Sequence, residues 1–359
     1  MVNAVGLDIG GANTKISFLK AENDAIKTVK VACEYFPIWK RKMGELAALI
    51  KSLKLKVAGQ AELDVVGVTM TAELSDAFQT KREGVKYVLD SVEDAFKNMR
   101  ILVLDVNANL IPCEDARSKP LHVAAANWVA TGWMVSKMFR NCIAIDVGST
   151  STSIIPIING EIAAEGKNDL EKLINGELVY TGALRTNVAA IVNTVPVRGR
   201  LARVSSELFA TSGDVHLILG NIRAEDYTTE TADGRGKSRV EALARLARVV
   251  CADIEMLSED EIVSIARYIY HKQIEQILNG LKQVYERIKK LMETNFAVVV
   301  TGLGRKILAY RAAQEAGFKN IVDLGDLLGP DVALASPCVG VALMAATKIV
   351  GRTIFWKRS

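Results

Sequence analysis

Short apolar runs alternate with amphipathic segments along this chain. Ala4-Val5-Gly6-Leu7-Asp8-Ile9 is apolar except for one acidic residue near its end, which predicts a buried strand. After a Gly-rich turn, Lys15-Ile16-Ser17-Phe18-Leu19 alternates and predicts a second strand. Polar residues 20–24 turn the chain, and Ile26 to Val31 predict a third strand, completing a β-meander. Met43, Leu46, Ala47, Ile50 and Leu53 recur at helical spacing. A buried strand at Val65 to Met70, a helix over 80–98 and a strand at Ile101 to Val106 follow. Alternation of strand and helix implies a sheet with parallel pairs.

The pattern then restarts. Cys142-Ile143-Ala144-Ile145-Asp146-Val147 is again an apolar run with a late Asp, followed by a Gly/Ser/Thr turn and the run Ser153 to Ile158. Asn159-Gly160 is a strong hairpin signal, with Glu161 to Ala164 leading out. Asp8 matches Asp146, Gly10 matches Gly148, Thr14 matches Thr152 and Ile16 matches Ile154, all at one offset of 138 residues. A duplicated lobe is the natural inference. The expected lobes are 1–130 and 131–359, with the linker within 117–140. The second lobe carries a helical insertion, and its last helix is a candidate to return to the first lobe.

The second half continues as helix. Ser258-Glu259-Asp260-Glu261 fits a capping box ahead of a long apolar stripe from Ile262 to Leu291, which Gly280 is positioned to interrupt. Phe296 to Val300 predicts a buried strand. Thr301-Gly302-Leu303-Gly304 follows, then a helix from Arg305 to Ala316 closed by Gly317, and a final helix from Pro337 to Val350.

A chain of 359 residues suits two lobes rather than one core. A net charge of +4, evenly spread, does not argue for nucleic acid. Cys33, Cys113, Cys142, Cys251 and Cys338 are odd in number and far apart, which disfavours disulfides or a zinc site and points to a reducing, cytoplasmic setting. They are expected as small buried side chains in or near strands. No apolar run reaches the roughly 18 residues that span a bilayer, and no signal peptide is visible. His122, His216 and His271 lack a histidine partner three or four residues away and are read as structural or surface residues.

Candidate chemistry sits in the turns. In Asp8-Ile9-Gly10-Gly11-Ala12-Asn13-Thr14-Lys15, Gly10 and Gly11 let backbone N–H groups approach a phosphate. Asn13 and Thr14 add donors, Lys15 adds charge, and Asp8 is placed to hold a hydrated Mg²⁺. The second copy offers Asp146, Gly148, Ser149, Thr150, Ser151 and Thr152. Gly302 and Gly304 open a helix N-terminus, a third anion-binding candidate.

Two Asp-Gly-Thr meanders and a late TGxG loop resemble the actin/Hsp70/sugar-kinase superfamily. The resemblance implies an α/β fold of two ribonuclease H-like lobes with a cleft between them. Val179-Tyr180-Thr181-Gly182-Ala183-Leu184-Arg185-Thr186-Asn187 resembles the YTGxLRT segment of hydantoinase A/oxoprolinase-type proteins. Glu207 to Val215, Thr231 to Gly236, Thr69 to Leu74 and Ala124 to Trp128 resemble a short archaeal branch of that group, linked to one-carbon metabolism with tetrahydromethanopterin and methanofuran.

That branch implies a transferase joining γ-glutamyltyramine to the diphosphate ester of 5-(aminomethyl)-3-furanmethanol, with release of diphosphate. Asp8 and Asp146 would then organise Mg²⁺, while Lys15 and the loop hydroxyls face the leaving group. Glu73 is a candidate base for the phenol, with a solvated surface carboxylate as the alternative. Arg185 is a candidate for binding diphosphate or carboxylate. ATP is compatible with the loops but not required. An ATP-dependent kinase, or a hydrolase of the hydantoinase type, stays open as the second reading, and a nucleotide-gated sensor as a third. The partners expected are small molecules, with neither nucleic acid nor membrane; a homo-oligomer is compatible.

Overall fold

The computed structural model describes residues 1–42, 44–291 and 296–356; Met43 of the first helical stripe lies outside them. Six strands form the first sheet: β1 (Val2–Ile9), β2 (Asn13–Glu22), β3 (Ala25–Tyr35), β4 (Val65–Met70), β5 (Ile101–Leu104) and β6 (Leu110–Pro112). Their order is β3-β2-β1-β4-β5-β6. β1 runs antiparallel to β2 and parallel to β4, and β4 runs parallel to β5.

The second sheet is built from β7 (Cys142–Val147), β8 (Thr152–Ile158), β9 (Glu161–Ile162) and β10 (Leu178–Val179). Between these and the last two strands of that sheet lies a separate hairpin, β11 (Thr194–Val197) with β12 (Arg200–Arg203). β13 (Ala297–Gly302) and β14 (Ile321–Asp323) complete the order β10-β8-β7-β13-β14. The run β8-β7-β13-β14 repeats β2-β1-β4-β5 in order and direction. This is the duplicated ribonuclease H-like lobe of the actin/Hsp70/sugar-kinase fold.

Strands of unbroken apolar sequence are the ones covered on both faces; every residue of Val65–Met70 and of Ala297–Gly302 is buried. Helices Glu45–Ala58 and Lys81–Ala95 cover the outer face of the first sheet. Helix Glu259–Ile288 covers the outer face of the second. Two helices fill the layer between the sheets. Asn127–Ser136 lies on β7, β8 and β9, and the last helix, Ser336–Val350, lies on β1, β2 and β4. The last helix also packs against Asn127–Ser136. Val2, Leu102, Trp128, Ile155 and Val341 share this central core.

The close approach of the last helix depends on glycine. A Cβ on Gly6 would collide with the Cys338 carbonyl oxygen and lie 2.8 Å from the Ala342 nitrogen; one on Gly67 would lie 2.6 Å from the Val341 carbonyl oxygen.

Several expectations need correction. Gly280 does not interrupt its helix, which runs unbroken from Glu259 to Ile288; its missing Cβ makes room for Val179. The helix after Gly304 begins as one wide π-turn, Arg305–Ala309, before Tyr310–Glu315. Only Cys142 and Cys338 are buried, whereas Cys33 and Cys251 are exposed; all five thiols are free. The insertion between β10 and the long helix has its own apolar core. The Arg245–Asp214 ion pair (2.8 Å) is wholly buried there, with Asp233 at 3.2 Å. The motifs Glu207 to Val215 and Thr231 to Gly236 therefore brace this insertion. Among the described residues no helix is long and apolar enough to cross a membrane.

Gly6→Ala is expected to destabilise the chain by about 3 kcal/mol or more, because backbone rather than a flexible side chain occupies the space. A urea melt checks this. An unchanged midpoint would mean that the last helix does not dock on β1 this closely.

Candidate active site

The two Gly-rich turns are closed by the same backbone hydrogen bond. The Gly10 N–H donates to the Asn13 carbonyl at 2.9 Å, and the Gly148 N–H donates to the Ser151 carbonyl at 2.9 Å. Cross-strand register sets Asp8 opposite Lys15 and Asp146 opposite Ser153. The turns face each other across a cavity of about 300 Å³. Asp8, Gly10, Gly11, Asn13 and Lys15 line one side; Gly148, Ser149, Thr150, Ser151 and Arg185 line the other. Asp146 is half-buried at the end of β7, its Oδ2 accepting from the Thr131 hydroxyl at 3.0 Å.

Strand alternation removes two predicted residues from this wall. Thr14 and Thr152 fall between cleft-facing neighbours, so their side chains take the opposite face. Both are fully buried. The Thr152 hydroxyl donates to the Thr181 carbonyl at 2.7 Å, and that of Thr14 has no partner. Gly302 and Gly304 also stand apart from the cavity. Gly302 has φ +87° and backs onto the Asp146 carboxylate; the Gly304 N–H donates to the Val147 carbonyl at 2.9 Å. The late loop therefore buttresses β7.

Glu73 lies in a short 3₁₀ turn, Ala72–Leu74, and is buried rather than solvated. Thr71, Leu74, Ser75 and Asp76 around it line the cleft, but Glu73 does not. Neither carboxylate oxygen has a hydrogen-bond partner, and Lys81 Nζ is 3.7 Å away. Burial pushes its pKa up to about 7, against the pull of Lys81.

The charges at the cleft floor are strongly perturbed. Burial raises Asp8 to about 6; Lys15 opposes the rise and Asp146 adds to it. Burial likewise raises Asp146, against Lys15, Thr131 and Lys172. Burial works against the charge on Lys15, yet Asp8, Cys33 and Asp146 together hold its pKa above the ordinary lysine value. Asp8 Oδ1 is buried without a partner. Among the described residues no cluster of three or more His, Cys, Asp or Glu is built to hold a metal. A cation here would need ligand oxygens beside Asp8 and Asp146, which suits hydrated Mg²⁺.

Sequence reasoning missed several wall residues. Lys172 is 2 % exposed, lines the cavity and rests over the Trp128 ring at 4.4 Å. Burial lowers its pKa to about 7, with Asp169, Glu177 and Asp146 opposing. Trp39 reaches across from the first lobe to Arg185, whose guanidinium lies 5.0 Å from the ring centroid. Arg185 also donates to the Thr150 hydroxyl at 3.1 Å, and Asn13 donates to the Ser149 hydroxyl at 3.2 Å across the cleft. Asn127, Trp128, Thr71 and Leu74 also line the cavity. They lie in segments already quoted for their family resemblance, and that was the available signal.

A family model described as hydantoinase/oxoprolinase matches residues 64–344. The chain belongs to the hydantoinase/oxoprolinase family. It is 43% identical over 339 residues to a (4-{4-[2-(gamma-L-glutamylamino)ethyl]phenoxymethyl}furan-2-yl)methanamine synthase of Methanocaldococcus jannaschii, covering 94% of this chain and 96% of the relative. A protein of the same name from Methanococcus vannielii is 37% identical over 214 residues, 58% of this chain and 93% of that one. Among solved structures, nucleotide-free acetone carboxylase matches with a TM-score of 0.52 at 10% identity, over 95% of this chain and 70% of that one, and shares the fold. In this family member the YTGxLRT segment shapes the second turn. The Gly148 and Ser149 carbonyls accept from the Ala183, Leu184 and Arg185 N–H groups, and a Cβ on Gly182 would press on the Thr150 backbone.

Lys172 yields a pH prediction. Above about 7 the free amine is neutral, so an anion bound beside it must draw in a proton. Affinity for inorganic diphosphate should therefore fall as pH rises from 7 to 9, by up to tenfold per unit. Lys172→Met should bind about tenfold more weakly at pH 7 and show a flatter profile. Titration calorimetry in two buffers checks the proton uptake; equal uptake by both proteins would contradict it.

Proposed function

We propose that the chain joins the phenol of γ-glutamyltyramine to 5-(aminomethyl)-3-furanmethanol diphosphate, forming an aryl ether and releasing diphosphate, a step of methanofuran biosynthesis. The observation that carries this reading is 43% identity, along nearly the whole of both chains, to a synthase named for that ether. The cleft supports it, because opposed Gly turns, Lys15, Lys172 and Arg185 make an anion site.

The C–O bond to the diphosphate breaks with its electron pair leaving on the phosphate oxygen. Charge growing there faces Lys15, Lys172, Arg185 and the backbone N–H groups of the two turns, which are already in place. The furan ring donates electron density to the departing carbon, which favours a loose transition state. The phenol oxygen attacks that carbon and gives up its proton. An ordinary phenol has a pKa of about 10, so a nearby acceptor matters. Asp169 has the position for it on the cleft wall, with its carboxylate 3.0 Å from Lys81 Nζ. Glu73, behind Lys81, is a positioning residue in this scheme. Asp8 and Asp146 would hold Mg²⁺ together with the diphosphate oxygens, and the bound ion would neutralise part of the leaving group's charge.

An ATP-dependent kinase or ring-opening hydrolase is the weaker reading. It would set a nucleoside against the late loop, and Gly302 and Gly304 lie outside the cavity wall.

Purified protein given Mg²⁺ and both substrates should release diphosphate and yield the mass of the coupled ether. Asp8→Asn and Asp146→Asn should each lower kcat about 10³-fold, and Asp169→Asn about 10²-fold or more. ADP formation from ATP with no coupling would overturn the transferase.

A further inference from the structure

A second cavity, of about 570 Å³, adjoins the cleft. Leu74 and Asp169 line both spaces. One wall comes from the first lobe through Leu74, Lys81 and Leu121; the other comes from the segment leading through helix Asp169–Ile174, with Lys167 and Leu173. The wall leucines are open to solvent: Leu74 is 53% exposed, Leu121 62% and Leu173 46%. Apolar side chains facing one another across an open groove mark a binding surface. The volume suits a small organic molecule.

We infer that this groove is the subsite for the phenolic acceptor, an inference that rests on the transferase reading. Two substrates must meet at one atom. The cleft is polar, carries Lys15, Lys172 and Arg185 and takes the diphosphate, whereas the groove is apolar and opens into it at Leu74 and Asp169. A phenyl ring and its ethylene arm bury apolar surface between Leu121 and Leu173, with the phenol oxygen directed to Asp169 at the shared wall. The γ-glutamyl end carries a carboxylate. Lys167, whose ammonium makes no ion pair among the described residues, supplies the charge for it. The ligand class is thus a para-substituted phenol with a carboxylate-bearing amino-acid tail.

The test uses the full chain and Leu121→Asn, Leu173→Asn and Lys167→Met. Both leucines are exposed, so folding should be unaffected. Each leucine variant should raise KM for γ-glutamyltyramine about tenfold or more while leaving KM for the diphosphate ester unchanged. Lys167→Met should raise KM for γ-glutamyltyramine but not for tyramine. Unchanged acceptor KM values with coupling intact would overturn the groove assignment. So would variants that change molecular mass on gel filtration, since the groove would then be a contact between copies. Calorimetric titration of γ-glutamyltyramine without the ester separates this inference from the reaction itself. Binding that is weakened in Leu121→Asn, with no coupling by the unaltered chain, would keep the subsite and sink the reaction. No binding to the unaltered chain would sink the subsite.

Discussion

Two carboxylates held out of water at the ends of equivalent strands set the terms for the rest of this molecule. Asp8 is buried and Asp146 half-buried, Asp146 raises the cost of charging Asp8, and Lys15 is the ammonium that both feel. Like charges in a poorly hydrated site cost several kcal/mol unless partners compensate. Compensation here is partial. Thr131 serves Asp146, but one oxygen of Asp8 has none. A framework that tolerates this must be stiff. The last helix presses onto β1 through Gly6, and Lys15 donates to the Leu334 carbonyl at 3.2 Å, just before that helix. The cleft floor is therefore tied to the element that joins the two sheets.

Arg185 shows how remote parts of the chain reach the cleft. Its segment is held from behind by Gln273 of the long helix, which donates to the Thr181 hydroxyl at 3.0 Å and the Gly182 carbonyl at 2.8 Å. Gln273 is in turn fixed by His216 at 3.1 Å, a buried imidazole whose pKa burial lowers to about 4. A neutral histidine and an amide thus hold a loop that carries a cation. Most of the insertion acts here by holding position, and its first segment carries Arg185 into the cleft.

The fold was legible because both its signals are local. An apolar run ending in Asp, then Gly, then an alternating strand, written twice at one spacing, specifies two meanders. The facing of individual residues was partly legible. The period of two that marks β2 and β8 as strands also turns Thr14 and Thr152 away from their cleft-facing neighbours, so listing every polar residue of the turns over-counted. Lys172, Trp39 and Asp169 carried no local signal. Lys172 lies on a short amphipathic helix where a lysine reads as solvated; only packing against Trp128 buries it. Glu73 reads the same way, and it is buried because Gly84 of the neighbouring helix leaves room for its backbone. Such burial is a property of the contact between elements, which one element's sequence does not contain.

The division between a polar cleft and an apolar groove has a chemical logic. A diphosphate leaving group needs dipoles and cations already oriented, because reorganising water around it would take back what they contribute. A phenol nucleophile needs the opposite, since water competing at the departing carbon would give the alcohol rather than the ether. Both demands meet at Leu74 and Asp169, and there the lobes are also linked, by Lys81 of one reaching Asp169 of the other. An acceptor seated in that groove would touch both lobes at once. Its binding would hold them together while excluding water from the junction, so closure and the choice of nucleophile would depend on the same contacts.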